Sequence, residues 1–277
     1  MKTFKQITDT DGTLLVVDSL NLAFRYKHNG ATDFAEDYLR TVNSFKKSYK
    51  ASHVIVAADQ GSSSYRKALS PEYKQNRKDK FAEQTDAEKA AFELFFEDYI
   101  KTLDYIRDNT DYPVLRFPGV EADDICAYIC SKIKDRQIWL ISSDKDYDLL
   151  ISPNVSRFSY VTRKEVTHDN WRTHYDFDPE DYISIKCLTG DTGDNVLGVP
   201  GVGPKRAQSL VSEYGSTWDI IASIPLAGKY KYIEALNNCR DQLILNYKLM
   251  DLVTHCREAI GETNCHEIDQ TLELYTQ

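Results

Sequence analysis

The chain has 277 residues, 42% hydrophobic and 12% aromatic, enough to bury a full core in one large domain or one domain with an appendage. No stretch approaches the roughly 18 continuous apolar residues of a membrane span, and the opening Met1-Lys2-Thr3-Phe4-Lys5-Gln6 has no apolar signal region, so a soluble protein is expected. A net charge of −9 argues against a uniformly basic, phosphate-coating surface.

Four apolar runs read as buried parallel strands separated by helical patterns: Leu14-Leu15-Val16-Val17, Val54-Ile55-Val56-Ala57-Ala58, Val114-Leu115-Arg116-Phe117 and Ile138-Trp139-Leu140-Ile141. They imply an α/β fold with a mostly parallel twisted sheet and helices on both faces. Between the second and third strands, Phe92, Phe95, Phe96, Tyr99, Ile100, Leu103 and Ile106 recur at helical spacing, and Thr85-Asp86-Ala87-Glu88 supplies a capping box. This helix is expected to serve the core. From about Pro179 the pattern turns helical, interrupted by Gly198-Val199-Pro200-Gly201-Val202-Gly203-Pro204. The six cysteines contain no C-x-x-C pair and read as reduced thiols, with Cys126 and Cys130 on one buried helix face.

The acidic residues carry the strongest signal. Asp18 and Asp59 directly follow the first and second strands, and Asp144 lies three residues after the fourth. Ligands of an open parallel sheet bind outside the carboxyl ends of its strands, so these three acids should share one edge. Glu121, Asp123 and Asp124 open the helix after the third strand, Asp146 follows Asp144, and Asp191 and Asp194 stand three positions apart. Any one of these acids is adequately explained as a cap or a solvent-facing residue. Nine of them at positions where a sheet-edge site would be built are not. They also account for the whole net charge, which leaves the rest of the chain neutral.

No histidine or cysteine accompanies them at ligand spacing, so the donor set is oxygen only, which suits Mg²⁺ or Mn²⁺ rather than zinc. Nine carboxylates exceed the needs of one ion and fit two. A two-ion site points to phosphodiester hydrolysis.

The bases fall where such a reaction needs them. Residues 62–80 hold six bases (Arg66, Lys67, Lys74, Arg77, Lys78, Lys80) against two acids. Within that segment, Tyr73 offers a ring on which a base can stack, while Lys74 and Arg77 approach the reacting phosphate. In Gly201-Val202-Gly203-Pro204-Lys205-Arg206-Ala207, two glycines precede a proline suited to a first helical position. Backbone N–H groups there, with Lys205 and Arg206, can hold a phosphate without reading sequence.

With these motifs assembled, the sequence resembles the flap endonuclease / 5′-3′ exonuclease family, most closely its stand-alone phage members. The resemblance rests on Val17-Asp18-Ser19-Leu20-Asn21, Pro71-Glu72-Tyr73-Lys74-Gln75-Asn76-Arg77, Gly119-Val120-Glu121-Ala122-Asp123-Asp124, Gly190-Asp191-Thr192-Gly193-Asp194-Asn195 and the glycine hairpin. It implies a PIN-like nuclease core over residues 1–175, with a basic helical arch at about 62–107. A helical region over 176–277 would carry a helix-three-turn-helix at about 183–215. By the resemblance, Asp18, Asp59, Glu121, Asp123, Asp124 and Asp144 serve one metal position, and Asp146, Asp191 and Asp194 the second. Lys74 and Arg77 stabilise the scissile phosphate, Tyr73 stacks on a terminal base, and Arg25 touches the cleaved strand. The hairpin grips duplex DNA through Gly201, Gly203, Lys205 and Arg206, with a potassium ion on the carbonyls of Gly198, Val199 and Val202. Lys145, between Asp144 and Asp146, stands where the family often has a small residue, which makes Asp146 the ligand most open to revision.

The resemblance further implies a metal-dependent nuclease acting on DNA with a 5′ flap or 5′ end, RNA primer strands included. It would be cytoplasmic, in the host if phage-encoded. The ending Leu272-Glu273-Leu274-Tyr275-Thr276-Gln277 lacks a sliding-clamp peptide, so the protein is expected to act independently as a monomer. Two other classes fit less well. An aspartate-nucleophile phosphatase needs a second acid two residues after Asp18, where Leu20 stands. A binding protein that had lost its chemistry should show replaced ligands, and every expected acid is present.

Overall fold

Hydrophobic pattern and strand register agree along the central sheet of the computed structural model, which describes residues 12–276. The opening residues 1–6 and Gln277 lie outside the described residues. The sheet comprises β1 (Leu14–Asp18), β2 (His53–Ala57), β3 (Val114–Leu115), β4 (Ile138–Ile141), β5 (Val155–Ser159) and β6 (Lys164–Val166), in spatial order β3-β2-β1-β4-β5-β6. All pairings are parallel except the antiparallel β5–β6 edge. Alternate residues of β1 point to opposite faces, as the two-residue period of a strand requires. Leu14 and Val16 join one core, with Leu140, Ile125 and Ile129; Leu15 and Val17 join the other, with Tyr38, Tyr99 and Ile106.

Helices α1 (Ser19–His28), α2 (Ala35–Ser48) and α5 (Asp86–Asn109) cover the second face. Between β2 and α5 run the short α3 (Ser64–Leu69) and α4 (Gln75–Ala82), of which α4 buries no residue. The expected capping box is present at the start of α5, where Thr85 and Glu88 satisfy each other's backbone N–H groups. The first face is covered by α6 (Ala122–Lys132), on which Cys126 and Cys130 are buried as expected.

After β6 the chain becomes helical. It forms α7 (Tyr182–Thr189), a hairpin of β7 (Gly190–Asp191) and β8 (Val196–Leu197), then α8 (Pro204–Tyr214) and α9 (Thr217–Ser223). The chain continues through α10 (Lys231–Asn237), α11 (Arg240–Met250), α12 (Leu252–Ile260) and α13 (Glu262–Thr276), of which α12 and α13 return to pack on α6. The α7–α11 cluster has its own apolar core. Two glycines permit the β7–β8 turn. A Cβ on Gly190 would lie 2.3 Å from the Gly198 nitrogen, and one on Gly198 would lie 2.2 Å from the Thr189 carbonyl oxygen.

All four expected strands form, although β3 stops at Leu115 rather than Phe117. Among the strands not foreseen, β5 (Val-Ser-Arg-Phe-Ser) is the buried one of the central sheet, and its polar residues obscured its burial. Arg157 is buried there because Asp148 receives it through two bonds, from Nε at 2.6 Å and from the second guanidinium nitrogen at 2.9 Å.

Arg66 on α3 joins three layers. Its guanidinium donates to both oxygens of Asp124 on α6, at 2.6 and 2.8 Å, and its Nε donates to the Leu249 carbonyl of α11 at 2.7 Å. Asp124 is fully buried and Arg66 is 2% exposed. Removing one partner of such a pair strands the other charge without water. Arg66→Ala should therefore cost about 3–5 kcal/mol in denaturant unfolding, and a loss within the range of an ordinary surface substitution would contradict the tie.

Candidate metal centre

β1 lies between β2 and β4, so its carboxyl end is where the strand order switches direction. Asp18 ends β1, its Oδ1 accepting from the Asn21 N–H at 3.2 Å and its Oδ2 from the Ser142 hydroxyl at 2.9 Å. Asp59 follows β2, and its Oδ1 accepts from the Ala122 N–H at the first turn of α6, 3.0 Å away. Glu121 precedes that turn. Its neighbour Gly119, at φ +70, leaves no room for a side chain, since an added Cβ would sit 2.0 Å from the Ser64 hydroxyl. Asp144 opens a 3₁₀ turn after β4, and its Oδ1 accepts from the Asp146 N–H at 2.9 Å. Asp191 and Asp194 arrive from the β7–β8 hairpin.

These elements enclose a cleft of about 340 Å³ lined by eight of the nine acids: Asp18, Asp59, Glu121, Asp123, Asp144, Asp146, Asp191 and Asp194. Lys74 and Arg77 stand in the same lining, with Asn21 and Phe24 of α1. No histidine or cysteine lines the cleft among the described residues. The donor set is thus carboxylate oxygen, which fits hard divalent cations.

Asp124 is the ninth acid, and its surroundings differ from those of the other eight. One of its oxygens lies within 4.8 Å of oxygens of Glu121 and Asp123, so it belongs to the same acidic cluster. Yet both of its oxygens accept from Arg66, and it does not line the cleft. In this structure, therefore, Asp124 anchors Arg66, and its place in the acidic cluster is behind the cleft rather than in its lining. For Tyr73 the expectation is corrected. Its ring is 2% exposed and packs in the C-terminal core, while its hydroxyl donates to Glu121 at 2.9 Å and lies 3.0 Å from Asp194. No face is open to a base. Of the two aromatic residues in the cleft lining, Tyr147 is buried and Phe24 is half-buried, stacked on Phe95 of α5 at 5.2 Å.

Crowding sets the charge state of the acids. Burial, then the charge of Asp59, raises the Asp18 carboxyl to about 7. Burial raises Asp146 to about 6 despite Lys186, raises Asp59, and holds Asp123 well above the carboxylate range. Glu121 and Asp191 go the other way. Burial raises both, but Lys74 and Arg66 outweigh it at Glu121, and Lys186 does so at Asp191.

Lys186 partners two of these acids and was not foreseen from the sequence. It is 8% exposed on α7, pairs with Asp146, and reaches Asp191 at 3.2 Å. The available signal was a single lysine inside the apolar run Tyr182-Ile183-Ser184-Ile185-Lys186-Cys187-Leu188. Lys145 is exposed, so the counter-charge to Asp146 comes from α7 instead. Ser142 was also missed, since a serine between a strand and an aspartate carries no distinctive pattern.

Of the remaining expected contacts, Arg25 is half-buried on α1, one residue beyond Phe24. Gly201, Gly203 and Lys205 are exposed around the start of α8. Arg206 is engaged internally, donating to the Gly201 carbonyl at 2.5 Å with its guanidinium 4.8 Å from the Tyr232 ring centroid. The Val199 carbonyl accepts from the Val202 N–H at 2.9 Å, closing the turn of the hairpin.

The raised Asp18 carboxyl has a measurable consequence. Between about pH 4 and 7 the folded chain keeps a proton there that the unfolded chain has released, so stability falls as pH rises through that window. The Asp18→Asn variant has no such proton to release. In chelator, the variant's melting temperature should exceed that of the natural chain by a margin that grows from pH 5 to pH 8. A margin independent of pH would contradict the assignment.

Comparison with known proteins agrees with this geometry. Residues 13–176 match the 5′-3′ exonuclease N-terminal resolvase-like domain, and residues 177–271 match the 5′-3′ exonuclease C-terminal SAM fold. The flap endonuclease of Escherichia phage T5 is 42% identical over 266 residues, covering 93% of this chain and 89% of that protein. A solved T5 5′-exonuclease with divalent metal ions (zinc) bound aligns with a TM-score of 0.91 at 40% identity, over 96% of this chain and all of that one. The T5 flap endonuclease in a pseudo-enzyme-product complex with DNA and metal ions aligns with a TM-score of 0.90 at 40% identity, with the same coverage. The fold expected from the sequence, a mostly parallel sheet with an added helical region, is the fold observed, and the chain belongs to the 5′-3′ exonuclease family.

Proposed function

We propose that the protein hydrolyses DNA phosphodiesters at junctions between a 5′ single strand and a duplex, acting as a flap endonuclease and as a 5′-3′ exonuclease. The observation that carries this reading is the joint lining of one cleft by eight acids and by Lys74 and Arg77 at the start of α4, the base of the proposed arch. Asp18, Asp59, Glu121, Asp123 and Asp144 would hold one Mg²⁺ or Mn²⁺, and Asp146, Asp191 and Asp194 a second. When bound, such ions activate the attacking water and stabilise the leaving oxygen.

The chain's own residues supply position and charge. Lys74 directs its ammonium into the cleft, 2.8 Å from Glu121 Oε1, and Arg77, 59% exposed, reaches the rim beside Asp194. Both are placed to bind the non-bridging oxygens of the scissile phosphate and to stabilise charge that grows there. Phe24 offers a ring for the terminal base, in place of the buried Tyr73, and Arg25 follows it along the same strand path. The start of α8, with Gly201, Gly203, Lys205 and Arg206, would hold the duplex through phosphates, independent of sequence. A potassium ion on the carbonyls of Gly198, Val199 and Val202 belongs to this duplex-holding role. In the described residues no helix is long and apolar enough to cross a membrane. The substrate would include RNA primer strands, and the enzyme would act as a cytoplasmic monomer during replication.

Cleavage of a 5′-flap DNA in Mg²⁺ tests the assignments. Chelator should abolish cutting, and Asp191→Asn should reduce it strongly. Lys74→Ala should lower the rate of the chemical step by roughly 10²–10³-fold, the scale of losing one transition-state charge donor. Cutting that survives chelation would refute the metal site, and a natural rate in Lys74→Ala would remove that residue's role. A bulky block on the flap end should stop cutting if the strand threads the arch and leave it intact if the strand is clamped.

A further inference from the structure

We infer that Asn76 and Asn195 are positioning residues that lock the base of the arch to the aspartate loop. Arch order and metal retention at Asp191 and Asp194 thereby become one equilibrium. The inference rests on assigning those two aspartates to the second metal position.

The two segments exchange side-chain amides. Asn195 Nδ2 donates to the Glu72 carbonyl at 2.8 Å, and Asn76 Nδ2 donates to the Thr192 carbonyl at 2.7 Å and lies 3.4 Å from that of Gly193. Between these bonds, the Lys74 N–H donates to the Asp194 carbonyl at 2.9 Å. Each segment turns at its contact point through a non-glycine residue in the left-handed region, Lys74 at φ 55 and Asn195 at φ 60. Such conformations persist only where surroundings over-determine them. The turn at Lys74 begins α4 and aims the lysine ammonium at Glu121. The turn at Asn195 ends the loop that presents Asp191 and Asp194.

Neutral amides suit this task better than charges would. The ionic contacts across the same junction, Lys74 with Asp194 at 3.7 Å and Arg77 with Asp194, lie in the cleft and must compete with any metal or phosphate that enters. The two short amide–carbonyl bonds join residues outside the cleft lining, Asn195 to Glu72 and Asn76 to Thr192, and carry no net charge. They can hold while the cleft changes its ions. By linkage, an element that favours the ordered arch favours metal at the loop by the same factor, and metal favours the ordered arch in return.

The test uses the full chain without DNA. Mg²⁺ binding is followed by calorimetry, and arch opening by trypsin cleavage at Lys78 and Lys80, both exposed on α4. Asn76→Ala removes one amide. Asn195→Gly removes the other while accepting the positive φ, so hydrogen bonding is separated from backbone strain. Each should weaken Mg²⁺ binding and speed arch cleavage by about 5-fold, the worth of one neutral hydrogen bond, with melting temperatures close to natural. In the natural chain, Mg²⁺ should slow cleavage at these lysines. Variants that bind Mg²⁺ and resist trypsin like the natural chain would overturn the inference, as would a change in one readout without the other. Either variant carries the test alone should the other fail to fold. Asp194→Asn is the control for the metal assignment. If it binds Mg²⁺ normally the assignment fails, whereas failure of the latch shows only in the asparagine variants.

Discussion

Eight carboxylates converge on one cleft of about 340 Å³, and the repulsion among them is the constraint around which the rest of the molecule is arranged. Two like charges about 4 Å apart repel by about 4 kcal/mol at an effective dielectric of 20. The structure relieves this in two ways. Asp18, Asp123 and Asp146 are pushed up by burial and the neighbouring acids, which favours their protonated forms. Lys74, Arg77 and Lys186 place cations against Glu121, Asp194, Asp146 and Asp191. Arg66 does the same for Asp124 from inside the core. These protons and cations occupy the sites that divalent metals would neutralise, and two of the cations are those proposed to meet the scissile phosphate.

The sheet explains why the acids meet at all. The order β3-β2-β1-β4 places Asp18 on the middle strand, with Asp59 and Asp144 after the strands on either side. Asp59 also accepts from the first turn of α6, tying the second strand to the helix start that carries Glu121 and Asp123. Asp191 and Asp194 come from a separate apolar cluster. Tyr73, buried in that cluster and bonded to Glu121, joins the two halves of the site. A residue that looked like an exposed stacking platform is therefore an internal strut. What misled the sequence reading was its setting among bases, since composition reports a segment's surroundings and not which side of it is buried.

Much of the centre was legible because strand ends and helix starts are local features. An aspartate after an apolar run can be placed at a sheet edge from the sequence alone, as Asp18 and Asp59 were, and the Thr85 capping box could be read in the same way. What escaped depended on contacts distant in sequence. Lys186 meets Asp146 across forty positions, and Asp124 is lost to the cleft only because Arg66 reaches it from α3. β5 was hidden for the same reason, its arginine being buried by Asp148 rather than exposed. Pairing of buried charges is a tertiary property, and single-sequence patterns do not carry it.

The central claim, that protons and resident cations hold the cleft until metal replaces them, is tested most directly by the protons released when Mg²⁺ binds. Calorimetric titration in buffers of different ionisation enthalpy gives that number. With Asp18 raised to about 7 and Asp146 to about 6, binding at pH 6 should release protons, and the release should shrink as pH rises above 7. A binding enthalpy independent of buffer at pH 6 would contradict the account.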